Sequence, residues 1–311
     1  MSGSAQGATN AVPGDGTGAG RLVVCPTPLG NLGDMTARSR DALAAADVVC
    51  AEDTRVTGKL LAALGIKNKL ERLDEATMRQ RAEGLVERMA SGQVVAYCSD
   101  AGMPGVSDPG MHLVRLARAA GVAVEVLPGP TAAATAYVAS GTEFARFFFG
   151  GFFPRKRGEQ QALLDSVASL DAALIFYESP NRLVEVLAVL AERFPCREAC
   201  VCRELTKVHE EVVRDTLPQL ASLFAERARA FETGEPGAAG IKGEIALVVD
   251  GPSECETQAA MERSLASAED RVRQLLAQGV RSKDAARQLS QEFGIPKNDA
   301  YQLVLEAGRN N

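Results

Sequence analysis

Histidine is almost missing from this chain: His112 and His209 are the only two in 311 residues. That leaves no Ser/His/Asp grouping for nucleophilic hydrolysis. Seven cysteines are present, but no two stand in a C-x-x-C pair, and neither histidine has ligand spacing to them, so no zinc site is expected. The P-loop, the G-x-S-x-G elbow and the H-E-x-x-H helix are also missing, which removes most NTPases and hydrolases. No apolar run approaches the roughly 20 residues that span a bilayer. Residues 1–20, rich in Gly, Ala, Ser and Thr, lack the basic start and apolar block of a signal peptide, and read as a disordered tail. Free thiols without a signal point to the cytoplasm. Positive charge is short as well. The net charge of −6 argues against attraction of nucleic acid to the whole surface, but leaves room for a local basic patch.

What is present is a soluble composition, 46% hydrophobic and 24% charged, in a chain long enough for about two domains. From Arg21 onward, short β-branched runs alternate with helical patterns. "RLVVC" (21–25), "DVVCA" (47–51), "NKLERL" (68–73), "VVAYC" (94–98) and "VAVEVL" (122–127) read as strands. The alternation predicts a doubly wound α/β fold whose first sheet is parallel and covered on both faces. A second α/β run follows, through the aromatic "RFFFGGFF" (146–153), "ALIFYES" (173–179), "ACVCREL" (199–205), an antiparallel strand near 209–217 and "GEIALVVDG" (243–251). The boundaries expected are 1–20 for the tail, 21–127 and 128–251 for the two α/β domains, 252–270 for a polar linker or helix start, and 271–311 for a helix-turn-helix-like unit. That last unit reads equally well as a helical tail packed on the body.

Four loops follow predicted strands, where open α/β sheets bind ligands. They are "PTPLGNLGD" (26–34), "EDTR" (52–55), "CSDAGMPGVSDPG" (98–110) and "PGPTAA" (128–133). In "EDTR", two readings stand: Glu52, Asp53 and Arg55 serve a substrate, or Asp53 or Thr54 caps the next helix. In the third loop, Asp108-Pro109 is the pattern of a helix start, whereas Asp100 follows a buried strand with no such employment. The "PGPTAA" loop opens a helix that Thr131 can cap, and whose first N–H groups suit a carboxylate or phosphate. Together the loops predict a two-domain enzyme with a small, partly anionic ligand in an interdomain cleft.

"PTPLGNLGDMTARS", "AEDTRVTG", "SDAGMPGVSDPG", "LPGPTAA", "FYESPNRL", "CRELTKVHEE" and "GEIALVV" occur in that order across about 21–251. In this the chain resembles the RsmI family, the ribosomal RNA small-subunit methyltransferases I, within the tetrapyrrole-methylase-like enzymes. The helical C-terminal unit resembles the extra domain of longer members. The resemblance implies two α/β domains with S-adenosyl-L-methionine (SAM) between them, a homodimer, and 2′-O-methylation of cytidine 1402 of 16S rRNA in the 30S subunit. It implies SAM contacts from Leu29, Asp100, Gly102, Met103, Val106, Gly129, Thr131, Ala132, Tyr177, Glu178, Leu205 and Glu244. Asn31, Glu52, Arg55, Arg155, Lys156, Arg182, Arg203 and Lys207 would then meet the RNA. Asp53 and Asp100 are the candidates to accept the 2′-hydroxyl proton, with Glu52 behind them. Two departures stand out: Met103 occupies a position where members commonly carry threonine, and Asp74-Glu75-Ala76 replaces a frequent His-Asn-Glu. The rival readings are a precorrin-type tetrapyrrole methyltransferase and a non-enzymatic nucleic-acid-binding protein.

Overall fold

The computed structural model describes residues 20–309; the expected tail lies outside them except for Gly20. Five strands form the first sheet: β1 Arg21–Val24, β2 Val48–Ala51, β3 Leu70–Arg72, β4 Val94–Cys98 and β5 Ala123–Val126. Their order is β3-β2-β4-β1-β5, and every pairing is parallel. Helices α1 Ala37–Ala45, α2 Thr54–Ala63, α3 Glu75–Ala90 and α4 Gly110–Ala119 connect them. Successive strand residues point to opposite faces. Leu22, Val24 and Tyr97 therefore pack with Met78, Leu85 and Leu113 of α3 and α4. Val23, Cys25 and Cys98 pack with Leu43 and Leu61 of α1 and α2. Both faces are buried, which is why these strands read as continuous apolar runs.

The second sheet has the order β6-β7-β10-β8-β9. Its strands are β6 Phe147–Phe152, β7 Ala173–Glu178, β8 Glu198–Arg203, β9 Glu211–Thr216 and β10 Ile245–Val249. Only β6 and β7 run parallel; β10 opposes both β7 and β8, and β9 opposes β8. Helices α6 Arg157–Val167, α7 Leu183–Arg193 and α8 Leu217–Glu232 bury Leu164, Leu187 and Leu220 against one face. Helix α5 Ala132–Ser140 covers the other with Ala133 and Ala136. The glycine pair in β6 shifts the register between Phe149 and Phe152. Phe153 is thereby buried against Phe176, with ring centroids 5.4 Å apart, while Phe152 is left 59% exposed.

Of the two readings of 252–270, the helix start is the one observed. Helix α9 runs unbroken over Glu254–Ala277, because Ser253 and Glu256 form a reciprocal capping box at its start. Arg197, only 1% exposed, reaches Glu256 with a 2.7 Å ion pair and anchors this root to the body. The far half of α9 joins α10 Ser282–Phe293 and α11 Lys297–Arg309 in a core of their own, built on Val272, Leu275, Leu289 and Val304. No helix of the described residues is long and apolar enough to cross a membrane, and no cluster of His, Cys, Asp and Glu able to hold a metal occurs among them.

Candidate functional site

Because β1, β2, β4 and β5 are parallel, their C-terminal ends share one edge, and the four loops singled out above emerge there. The first and third loops are stitched together. Thr27 N–H donates to the Gly102 carbonyl at 3.0 Å, Gly102 N–H returns a bond to Thr27 at 3.1 Å, and the Thr27 hydroxyl donates to the Ser99 carbonyl at 3.2 Å. Gly102 sits at φ +80°, a left-handed conformation that disfavours side chains. Asp108 pins the rest of this loop: its carboxylate accepts from Gly105 N–H and Gly110 N–H, each at 2.8 Å. The helix itself begins at Gly110, so Asp108 organises the loop as much as it starts the helix.

Across from this edge lies the second sheet. The loop after β8 reaches back to the first domain, and the Lys207 stem rests on the Cα of Gly30, where any side chain would collide. Between the two sheets is a cleft of about 460 Å³. Leu29, Asp100, Gly102, Met103, Val106, Thr131, Ala132, Tyr177, Glu178, Leu205 and Glu244 all line it, as does Glu52. Gly129 does not. It abuts the Pro26 ring instead, joining the first and fourth loops from behind. Phe152 and Cys202 also line the cleft; sequence reasoning leaves Phe152 open between core and base stacking, and does not find Cys202. Phe152 meets Tyr177 edge-on at 5.8 Å; the glycine pair before it was the only available signal. A hydrogen bond with Cys200 and burial push the Cys202 thiol up, so it is a wall and not a nucleophile.

The opening of α5 is arranged differently from the expected cap. Thr131 makes no side-chain cap bond; Ala133 N–H donates to the Tyr177 hydroxyl at 3.1 Å. Tyr177 thus ties the helix start to β7 at the cleft wall.

Five carboxylates surround the cleft: Glu52, Asp100, Asp108, Glu178 and Glu244. Glu178 is 3% exposed and paired with Arg182 at 3.0 Å, yet its Oε2 takes no hydrogen bond. Glu244 pairs with Lys207 at 3.2 Å. Asp100 accepts from Asp53 N–H at 3.0 Å; partial loss of water raises its carboxyl above the ordinary range. Glu52 is raised too, first by burial and then by Asp100 and Asp108.

Asp53 is not part of the wall. It caps α2, accepting from Arg55 N–H at 2.8 Å, and its carboxylate is clasped by the Arg55 guanidinium at 2.7 Å. That clasp holds its carboxyl well below the usual carboxylate range, the wrong direction for a proton acceptor. The positions expected to meet a polyanion are scattered. Asn31 caps a short 3-10 turn, accepting from Gly33 N–H at 2.9 Å. Arg182 donates to the Phe153 and Pro154 carbonyls, and Arg203 to Glu211 and the Lys242 carbonyl; both are committed to structure. Lys156 pairs with Glu159. Arg155 lines a separate groove between α6 and α7, with Arg157 and Arg193. Of that group Glu52 lines the cleft, and Lys207 and Arg182 each pair with a carboxylate that lines it.

A sequence model of the tetrapyrrole (corrin/porphyrin) methylases matches residues 21–221, and the RsmI C-terminal HTH domain matches residues 263–308. The ribosomal RNA small subunit methyltransferase I of Halalkalibacterium halodurans is 39% identical over 285 residues, 91% of this chain and 94% of its own. That of Mycobacterium bovis is 40% identical over 294 residues, 93% of this chain and 96% of its own. Among solved structures, diphthine synthase superposes with a TM-score of 0.59 at 17% identity, covering 75% of this chain and 90% of its own. The methyltransferase CobJ does so with a TM-score of 0.56 at 21% identity, covering 75% and 94%. These two share the fold.

Proposed function

We propose a function from one premise: the chain belongs to the ribosomal RNA small subunit methyltransferase I family, built on the tetrapyrrole methylase fold. It is a SAM-dependent methyltransferase of small-subunit rRNA. Its finer reading here is transfer of one methyl to the 2′-hydroxyl of cytidine 1402 in 16S rRNA, by a homodimer in the cytoplasm. The tetrapyrrole reading draws less support. The rRNA methyltransferases match more than nine-tenths of the chain at 39–40% identity, whereas CobJ covers three-quarters at 21%.

The cleft carries this reading because its residues suit a small cationic ligand with an anionic end. Asp100, Asp108, Glu178 and Glu244 would set negative charge against a sulfonium and an ammonium. The buried Glu178, held by Arg182 at 3.0 Å through Oε2, fixes a negative charge in the wall. Leu29, Met103, Val106 and Leu205 supply apolar wall. The start of α5 at Thr131 and Ala132 offers N–H groups to a carboxylate. When bound, SAM supplies a methyl already activated on sulfur, so the protein's task is placement. Asp100 and Glu178 hold the polar groups, and Gly102 lets the backbone approach. Lys207 sits at the rim, where it screens incoming phosphate.

The direct test is mass mapping of 16S rRNA after incubation of purified 30S subunits with protein and SAM. One added methyl on the ribose of cytidine 1402 is expected. Modification elsewhere would overturn the site; methylation of a precorrin but not of 30S subunits would overturn the substrate.

A further inference from the structure

We propose that Glu52 is the proton acceptor of the methyl transfer, in place of either neighbouring aspartate. The inference rests on the reading of the cleft as a ribose methylation site. It starts from which cleft carboxylates are already committed. Asp108 holds two loop amides, Glu178 holds Arg182 and Ser179 N–H, Glu244 holds Lys207, and Asp100 holds the amide of Asp53. Asp53 itself is outside the wall and clasped by Arg55. Glu52 alone lines the cleft with neither a hydrogen-bond nor an ion-pair partner among the described residues.

Its position suits the task. Glu52 directly follows β2, next to β4 in the sheet, so its backbone is fixed by a buried strand at the ligand edge. A general base must be free to accept and must sit on a rigid element. Asp53 and Glu52 are neighbours in sequence but are split by the capping geometry: the first turns to the helix start, the second to the cleft. In the step itself, the ribose O2′ forms its bond to the methyl carbon as the carbon–sulfur bond breaks. The electron pair of that bond stays on sulfur and discharges its positive charge. The 2′-hydroxyl proton passes to the Glu52 carboxylate, which later returns it to water.

The groups around Glu52 also set its pH response. Asp100 and Asp108 face it from the loop after β4, and Asp74 and Glu75 from the start of α3. Glu178 with Arg182, and Glu244 with Lys207, lie across the same cleft. Asp53 and Arg55 flank it. Burial and the surrounding negative charge both favour its protonated form. The active form is the carboxylate, so turnover falls as pH drops through this raised value. The acid limb therefore lies at higher pH than for an ordinary glutamate.

The experiment compares wild type, Glu52→Gln and Glu52→Asp on purified 30S subunits across pH, with SAM affinity of each measured by calorimetry. Glu52→Gln is expected to lower kcat by about 10²- to 10⁴-fold, to keep SAM affinity, and to lose the acid limb. Glu52→Asp is expected to recover part of the rate. A glutamine variant with wild-type kcat, or one that keeps the acid limb, overturns the proposal. So does one whose rate loss matches a loss of SAM binding. If wild type itself transfers no methyl to 30S subunits, the function fails before Glu52 is in question.

Discussion

Gly102 and Gly129 stand in glycine-rich loops that look alike in sequence, but a methyl group added to each meets different surroundings. At Gly102 it would lie 3.1 Å from Leu29 Cδ2, on a backbone at φ +80°, in the cleft wall. Gly102→Ala is expected to weaken SAM binding in calorimetry. At Gly129 it would collide with the Pro26 ring behind the wall. Gly129→Ala is expected to cost about 1–3 kcal/mol of stability in chemical denaturation. Stability equal to wild type would show that the Pro26 loop simply moves aside. Asp108→Ala belongs with Gly129, since it strands the Gly105 and Gly110 amides, at roughly 1–3 kcal/mol if they stay unpaired. The split between Asp100 at the cleft and Asp108 in the loop was half legible. A buried strand before Asp100 and a proline after Asp108 separate them in sequence. That Asp108 also faces the cleft was not legible, because it depends on the loop folding back through Ser107 at φ 68°. The roles within "EDTR" were left open: Asp53 as the helix cap was one of the two readings and is the one the backbone after β2 selects, whereas the turn of Glu52 toward the cleft was not legible.

At the scale of elements, the parallel sheet was legible because its strands are apolar throughout, and so were the loops that follow them. The element left open was α9. Its first four turns are polar enough to pass for a linker, since they pack on little; their stability comes from the Ser253–Glu256 box and from Arg197 beneath it. Arg197 lies over the Phe194 ring at 3.8 Å and donates to the Ala168 and Asp250 carbonyls. No local pattern announces a buried arginine, because its hydrogen-bond partners come from 29 to 59 residues away. Removing one partner of a buried pair is far worse than never having built it. Arg197→Ala is expected to cost about 3–5 kcal/mol in urea unfolding, with SAM affinity measured below the transition unchanged. A loss near zero would mean that Glu256 and the carbonyls are satisfied by water and that the root of α9 is held by something else.

The whole molecule divides at that root. The α9–α11 unit buries its own core, so the cleft owes it no side chain: every residue lining the cleft lies between Leu29 and Ala246. A chain ended after residue 262 keeps Ser253 and Glu256, and with them the Arg197 pair. A chain ended after residue 251 removes both and leaves a buried guanidinium without its carboxylate. The longer form is expected to melt near the full-length protein and to bind SAM equally well. The shorter form is expected to melt lower for the same reason as Arg197→Ala. If the helical unit helps dock the 30S subunit, both forms lose affinity for it to the same extent despite their different stabilities, as sedimentation with purified subunits would show. Equal melting of the two forms would break the link between Glu256 and the body. Undiminished binding of both to 30S subunits would assign RNA recognition to the two α/β domains alone, leaving Lys207 and the rim of the cleft to meet the phosphates.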